Sequence, residues 1–294
     1  MSKNNMSLLN KGLFMMKFVT IKRLLYQTLI YVILIVMSCI FIFPFYWLIR
    51  SSFMNSAEIF TLPMKWWPTH LQLGNFREAL TIRPFNVYFR NTIFLVTLNL
   101  IANIFSNSYI AFGFSRINFR GRDFWFAMLL STLMIPYSVI LIPQFIGWKI
   151  VGAFDTFWPL TFPQFFGSAF YIFLLRQFYM GIPKEYDEAA SVDGANYFYI
   201  YWKIILPLSK PALMTVGVFT FMNTWNDFFG PLIYLNSESK LTLALGLRSF
   251  MGQYVSQWNL LMAASTVTIL PVIIVFFLAQ RAFIEGITFS GLKG

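Results

Sequence analysis

"LLYQTLIYVILIVMSCIFIFPFYWLI", residues 24–49, is a stretch without a formally charged side chain. It exceeds the about 20 residues that an α-helix needs to cross the hydrocarbon of a bilayer. Its apolar residues are continuous, which excludes the two-residue alternation of an outer-membrane β-strand. Because backbone polar groups in hydrocarbon must be paired within their own segment, the stretch is predicted to be a membrane-spanning helix.

The rest of the chain repeats this pattern. Of the 294 residues, 58% are apolar and only 11% are charged, a composition typical of integral membrane proteins. Further charge-free windows cover residues 91–115, 124–148, 156–175 and 249–280, and a sixth at 211–235 is interrupted only by Asp227. The sequence therefore predicts an all-α polytopic membrane protein with six transmembrane helices.

The distribution of Lys and Arg predicts the orientation. With a cytoplasmic amino terminus, the inside segments carry 14 of the 22 Lys and Arg, and five of the other eight lie in one long outside segment, residues 50–91. Cytoplasmic loops are enriched in these residues. We therefore expect both termini inside, with a cytoplasmic segment at 1–26, a transmembrane domain at 27–283 and a cytoplasmic tail at 284–294. Topology then accounts for the net charge of +11, and no nucleic acid partner is expected.

Two predicted spans carry stripes of polar residues at helical spacing. Such side chains must face protein or water, since an amide facing lipid would leave its donors unsatisfied. Two interpretations stay open: hydrogen bonds between helices, or a polar lining for a hydrophilic solute. The candidate path residues are Asn99, Asn103, Asn107, Thr220, Asn223 and Asp227.

Glycine and proline also punctuate the spans, as is common in transporters whose helices bend around a cavity. These positions are Pro44, Pro136, Pro143, Pro159, Pro163, Gly167 and Pro271. The outside segment 50–91 is expected to be ordered, and the outside loop 236–258 has room for a short helix.

Signatures of catalysis are missing from the sequence. It contains no phosphate-binding G-x-x-x-x-G-K-[ST], G-x-S-x-G or H-E-x-x-H motif. Cys39 and His70 are the only residues of their types, so neither an internal disulfide nor a thiolate or imidazole metal site is expected. The chain is predicted to be a non-catalytic membrane subunit without a cofactor of its own.

One cytoplasmic connection, about residues 184–205, is rich in acids. A first short helix is expected to carry Glu185, Asp187 and Glu188 near its positive end and to stop at a left-handed Gly194. A second is expected to begin near Ala195 and to end before Pro207, with Tyr197, Ile200, Tyr201 and Ile204 on one face. An acidic rim, small alanines and an aromatic face are typical of a protein docking surface.

Residues 188–207, "EAASVDGANYFYIYWKIILP", resemble the EAA signature of ABC importer permeases at every fixed position and spacing. The chain is similar to the maltose-type carbohydrate branch, in its second-permease, six-helix subfamily, over nearly its whole length. Supporting stretches are "FPFYWLIRSSF" at 43–53, "YFRNTIFLVT" at 88–97, "GFSRINFRGRDFWF" at 113–126, "FMNTWNDFFGPLIY" at 221–234 and "GITFSGLKG" at 286–294.

The resemblance implies a permease subunit of an ATP-driven carbohydrate importer in the bacterial cytoplasmic membrane. Implied partners are a homologous second permease, two cytoplasmic ATPase subunits that bind ATP and Mg, and an extracytoplasmic binding protein near residues 236–258. The helix pair would dock on an ATPase subunit, with its acids facing that subunit and Glu188 paired with an arginine. The implied coupling residues are Glu185, Glu188, Ala189, Ala190, Asp193, Gly194, Tyr197, Tyr201, Ile204 and Pro207.

Two alternatives remain open on the sequence. One is an ABC importer for a non-sugar solute such as a polyol phosphate. The other is an ATP-independent secondary transporter, which would use the same polar stripes but would need no docking helices.

Overall fold

The computed structural model describes residues 3–251 and 257–291, with side chains described for 22–251 and 257–280. The described chain is helical, and the all-α fold class is confirmed. The helices are α1 Lys3–Ser52, α2 Ser56–Ile59, α3 Gly74–Thr81, α4 Phe85–Arg116, α5 Arg122–Ser131, α6 Tyr137–Ile150, α7 Trp158–Thr161, α8 Ala169–Gly181, α9 Glu185–Val192, α10 Tyr197–Ile200, α11 Leu206–Leu208, α12 Lys210–Trp225, α13 Phe229–Tyr234, α14 Leu243–Arg248 and α15 Trp258–Gly291.

Three segments of the described chain are single helices long and apolar enough to cross a membrane: Lys22–Ser52 of α1, α4, and Trp258–Gln280 of α15. Three further pairs of helices pass the same test together but are bent by 95°, 74° and 76°. The described chain thus supplies three spans, or up to six if each bent pair crosses once, and the number six stays a prediction.

Proline breaks some of the predicted spans and not others. The bend of 95° falls at Pro136, because the residue before a proline avoids helical geometry and Ile135 is extended. By contrast, Pro44, Pro143 and Pro271 lie inside continuous helices. The prediction that these three interrupt their spans is wrong, since a helix can lose one N–H donor and continue when neighbouring groups adapt.

The structure also corrects the prediction that Asp227 belongs to the polar stripe of a continuous helix. Helix α12 ends at Trp225, and the Asp227 carboxylate accepts a hydrogen bond of 3.0 Å from the Gly230 amide at the start of α13. Asp227 therefore caps a new helix at a break in the chain, where helix N-termini leave amides to be satisfied.

Helix α4 is the centre of the packing. On its carboxyl-terminal half, which the Lys and Arg distribution predicts to be cytoplasmic, Phe112 joins a buried cluster with Ile172 and Leu175 of α8 and Val216 of α12, called the cytoplasmic cluster below. On its amino-terminal half, on the side predicted to be outer, Tyr88 joins a second cluster that includes Leu260 of α15. The two clusters join α8, α12 and α15 to α4.

The outer connections are ordered, as the sequence predicted. Segment 50–91 contains α2 and α3, and the loop 236–258 contains α14, although residues 252–256 lie outside the described residues. The boundaries predicted at 26/27 and 283/284 fall within the continuous helices α1 and α15. Residues 1–2 and 292–294 of the predicted terminal segments also lie outside the described residues.

Asp155 joins two outer connections. Its carboxylate accepts hydrogen bonds from the backbone amides of Asn236 at 2.8 Å and Ser237 at 3.0 Å, and it pairs with Lys240 at 3.2 Å. The hydrogen bonds from the Ser237 side chain and backbone hold the pKa of Asp155 well below its usual range. This link fixes the loop that leads to α14.

Close packing of α14 on α4 yields a first prediction. A Cβ at Gly246 would lie 2.4 Å from the Tyr88 ring, whereas a Cβ at Gly147 in α6 would meet nothing within 4 Å. We expect Gly246→Ala to cost about 1–3 kcal/mol through overpacking. The matched Gly147→Ala change should leave stability unchanged or slightly higher. Thermal unfolding of the two purified variants in detergent measures the difference, and equal melting temperatures would contradict the packing.

Candidate coupling surface and substrate path

Helix α9 ends in a tight backbone motif. The Ala195 amide donates to the Ala190 carbonyl at 2.9 Å, and the Gly194 amide donates to the Ser191 carbonyl at 3.1 Å. Gly194 has a φ of +83°, which glycine adopts without the penalty of a Cβ. The predicted left-handed stop at Gly194 is confirmed, and it turns the chain sharply from α9 towards α10.

The second predicted helix is made of several pieces. The Asn196 side chain accepts from the Tyr199 amide at 2.8 Å and caps α10. A π-helical turn at Tyr201–Ile205 follows, and then α11 at Leu206–Leu208. The prediction of one helix that ends before Pro207 is therefore wrong, because proline at a first-turn position gives up only an amide that needs no partner there.

An exposed face of α9 carries three of the ten predicted coupling residues. Glu185, Glu188 and Ala189 share the i, i+3, i+4, i+7 pattern of one helix face with Val192, and all four are exposed. Val192 is 87% exposed and adds an apolar side chain to this face. Sequence reasoning missed Val192, although its spacing of seven residues from Glu185 was visible.

The surface continues beyond the tip of α9. Asp193, Gly194, Tyr197 and Pro207 are exposed, and so is Phe198 at 63%. The sequence analysis missed Phe198 as well, because Phe198 lies outside the i, i+3, i+4, i+7 pattern that begins at Tyr197. The exposed residues Glu185, Glu188, Ala189, Val192, Asp193, Gly194, Tyr197, Phe198 and Pro207 are called the cytoplasmic tip below.

Apart from Tyr197, the predicted aromatic face of the second helix points into the protein itself. Tyr201 is 1% exposed, and its hydroxyl lies 2.6 Å from the Ser108 hydroxyl of α4. The prediction that Tyr201 forms part of a docking surface is therefore wrong, because packing it against α4 removes its apolar area from water within the chain. Ile204 and Ala190 are half-buried against the cytoplasmic cluster, and their part in docking stays a prediction.

The acids do not all face outward. The Asp187 carboxylate turns inward and lies 3.3 Å from the Arg116 guanidinium at the end of α4. Burial raises the pKa of Asp187 even though the positive charge of Arg116 acts in the opposite direction. Asp187 is thus an exception to the expectation that the acids face a partner.

The asparagine stripe of α4 lies against the broken segment between α7 and α8. The Asn107 side chain accepts from the Ser168 amide at 2.6 Å, and Asn103 donates to the Gln164 side chain at 3.1 Å. Asn99 donates to the Leu160 carbonyl at 3.2 Å. These three asparagines are at most 4% exposed, and the structure brings them together as partners of this segment, Asn99 and Asn107 of its backbone and Asn103 of the Gln164 side chain.

The stripe on α12 is more open to its surroundings. Thr220 is buried, but Asn223 is exposed and donates to the Tyr171 hydroxyl at 3.1 Å. Asp227 is half-buried in the break that follows. Of the six predicted path residues, Asn223 and Asp227 are the ones that retain access from outside the chain.

Two further features bear on ligands. No group of three or more His, Cys, Asp or Glu side chains suited to a metal ion occurs among the described residues. On the outer side, an open groove of about 540 Å³ is lined by Phe228, Leu232, Ala244, Leu247, Arg248, Met251 and Leu261. Arg248 is the cation in this otherwise apolar lining.

The sequence of residues 107–288 matches the family described as "Binding-protein-dependent transport system inner membrane component". The chain belongs to this family of ABC transporter permeases. The match runs from the last part of α4 into α15 and includes the cytoplasmic tip and the broken segment of α7 and α8, and it confirms the resemblance carried by residues 188–207.

Named relatives agree with this assignment. The permease is 31% identical to the arabinooligosaccharides transport system permease protein AraQ of Halalkalibacterium halodurans, over 86% of this chain and 91% of the relative. It is 34% identical to the probable starch degradation products transport system permease protein AmyC of Thermoanaerobacterium thermosulfurigenes, over 88% and 94%.

A solved structure shares the fold. A chain of a bacterial ABC transporter involved in the import of the acidic polysaccharide alginate superposes with a TM-score of 0.78 and 24% identity, covering 87% of this permease and 96% of that chain.

The role of Asn107 as a partner of broken backbone yields a second prediction. Asn107→Leu removes the acceptor of the Ser168 amide, and a buried unsatisfied group costs about 1–3 kcal/mol. We expect a melting temperature several degrees lower for the purified permease. Asn226→Leu is the matched control, since Asn226 is exposed and donates only within its own helix turn. A similar decrease in the melting temperature of both variants would contradict the structural role of Asn107.

Proposed function

We propose that this permease is a membrane subunit of an ATP-driven importer of oligosaccharides, in which the cytoplasmic tip docks on an ATPase subunit. The observation that carries the proposal is the tip itself. Its carboxylates lie on the same surface as the exposed side chains of Val192, Tyr197 and Phe198, and an exposed apolar patch rimmed by polar residues marks a protein interaction site. Relatives named for arabinooligosaccharide and starch-product transport support the substrate class.

Each subunit of the proposed assembly has a different role. Two cytoplasmic ATPase subunits bind ATP and Mg, a homologous second permease completes the path, and an extracytoplasmic binding protein delivers the sugar near the outer loop 236–258. Both termini of this chain lie in the cytoplasm in this arrangement, as the Lys and Arg distribution favours. The chain itself contributes docking and positioning, and the chemistry of hydrolysis belongs to its partners.

Transport in this proposal follows alternating access. When the ATPase subunits close, they displace the tip, and the tip moves the membrane helices as rigid bodies. The opening to the path changes sides as a result. The Schellman-type end of α9 suits this role because its backbone hydrogen bonds keep α9 and α10 in one geometry.

The path would use residues that stay accessible in this chain. Asn223 and Asp227 supply a donor and acceptors for sugar hydroxyls, and the hydroxyl of the buried Tyr171 accepts a hydrogen bond from Asn223 that positions its side chain. Asn99, Asn103 and Asn107 remain predicted path residues, although their hydrogen bonds to the broken segment favour the structural interpretation. Thr220 remains a prediction as well.

The coupling role yields a third prediction. Glu188→Ala and Gly194→Asp are each expected to abolish uptake while the chain remains inserted in the membrane, because the first removes the docking charge and the second adds a further carboxylate to the turn, next to Asp193. Gly194→Asn should retain more uptake than Gly194→Val, since asparagine tolerates this conformation. Glu78→Ala, an exposed glutamate on α3, is the matched control.

The measurement has two parts. Uptake of labelled arabinotriose and maltotriose reports function, and co-purification of the ATPase subunits with the permease reports docking. Wild-type uptake in Glu188→Ala would refute the coupling role. Uptake that persists after ATP depletion would favour a secondary transporter instead, and selective uptake of a polyol phosphate would change the substrate class.

The path yields a fourth prediction. Asn223→Leu is expected to raise the KM for uptake of the transported sugar, because it removes a polar partner from the accessible stripe, while the ATPase subunits still co-purify. Asn226→Leu on the neighbouring surface is the control. If uptake and substrate-stimulated ATPase activity are both unaltered in Asn223→Leu, Asn223 serves only its hydrogen bond to Tyr171.

A further inference from the structure

The cytoplasmic end of the bundle contains an ion pair that faces away from any docking partner. Arg116 is the last residue of α4, and its side chain is 3% exposed. Its Nε lies 3.3 Å from an Oδ of Asp187, whose side chain is 19% exposed. The pair therefore joins the tip helix to the central membrane helix inside a single chain.

Arg116 also holds the segment that leads into α9. One Nη donates to the Ile182 carbonyl at 2.8 Å, just beyond the end of α8. A single guanidinium thus connects the ends of α4 and α8 with the first turn of α9, which suits its rigid array of donors.

A second arginine fixes the same region from the other side. Arg176 of α8 donates to the Phe114 carbonyl of α4 at 3.1 Å, and its guanidinium lies 4.0 Å from the centre of the Phe126 ring of α5. Arg176 also lies 3.7 Å from Asp123. The ends of α4, α5 and α8 are therefore bound together, and the Arg116 pair attaches α9 to that platform.

Apart from the hydrogen-bonded turn that joins it to α10, helix α9 has few contacts that hold its orientation relative to α4. It has no buried residue, and a helix of eight residues is not stable alone in water. Its apolar contact with the cytoplasmic cluster runs through Ala190, which is small. A contact of this kind permits rotation, whereas the ion pair with Arg116, whose guanidinium is held by its hydrogen bond to the Ile182 carbonyl, attaches α9 at a second point.

We infer that Arg116 and Asp187 form a clamp that makes α9 and the cytoplasmic end of α4 move as one body when the tip is displaced. The inference rests on the proposed docking of the tip. Both are positioning residues, and neither touches the transported solute. A buried ion pair is poor support for stability but is suited to specifying one geometry, which is what transmission of a displacement requires.

The test directly measures the distance between the end of α4 and the start of α9. Cys39 is the only cysteine, so Cys39→Ser gives a background for paired spin labels at Arg120→Cys, beyond α4, and Lys184→Cys, before α9. Both positions are exposed. Distance distributions are recorded in the whole complex with its ATPase subunits, without nucleotide and with a non-hydrolysable ATP analogue.

With the clamp intact, the distribution should stay narrow and unshifted between the two nucleotide states. Asp187→Asn and Arg116→Gln should each broaden or shift it when the analogue binds. The double variant should be no broader than either single one, since contacting residues that act as a pair are non-additive. Arg122→Gln is the matched control, because Arg122 pairs with Asp123, which is 79% exposed.

Two outcomes would overturn the inference. One is an unchanged distribution in Asp187→Asn and Arg116→Gln. The other is loss of the ATPase subunits from an Asp187→Asn complex, which would place Asp187 on the docking surface. Failure of the proposed function is separate, since the labelled parent would then fail to co-purify with an ATPase subunit.

Discussion

The requirement that backbone N–H and C=O groups find partners inside a membrane governs this permease. An unbroken helix satisfies it internally, but the chain between α7 and α8 does not, because a 3₁₀ turn at Phe162–Phe166 leads into Gly167 with a φ of +86°. Irregular backbone at membrane depth survives only where protein or water provides partners. Here the asparagine side chains of α4 provide them.

Helix α4 serves the whole length of the molecule in the same way. At its outer end, Asn91 donates to the Ser239 and Leu241 carbonyls at 2.9 and 3.0 Å, which fixes the loop before α14. In its middle, Asn107 supports the broken segment, and at its cytoplasmic end Arg116 meets Asp187. One helix thus touches the outer loop, the interrupted span and the tip, and in the proposed mechanism this continuity would carry a displacement of the tip to the membrane core.

Much of this architecture was predictable from local sequence. Windows without charge identify α1, α4 and α15, and Gly194 marks a turn because few other residues adopt its backbone conformation. What the sequence did not predict correctly was the direction in which some side chains point. Periodicity places Tyr201 and Ile204 on one face, but it does not say whether that face meets a partner or the chain's own core.

Long-range pairings were also beyond the sequence. Asp187 is one acid among several in its stretch, and nothing in its neighbourhood indicates that Arg116 lies opposite. The sequence likewise indicates only that Asp155 is a polar residue in a short turn, although it binds a loop some eighty residues further along. Such contacts depend on how the helices assemble. The effect of a proline on its span also depends on its surroundings, since Pro136 bends its span while Pro143 does not.

The most direct test of the account is hydrogen–deuterium exchange across residues 184–200, in the permease pair with and without its ATPase subunits. The account predicts that α9 and α10 gain protection when the ATPase subunits are present, while the outer helices α3 and α14 exchange as before. Unchanged exchange in α9 and α10, in a complex that still hydrolyses ATP and moves sugar, would contradict it.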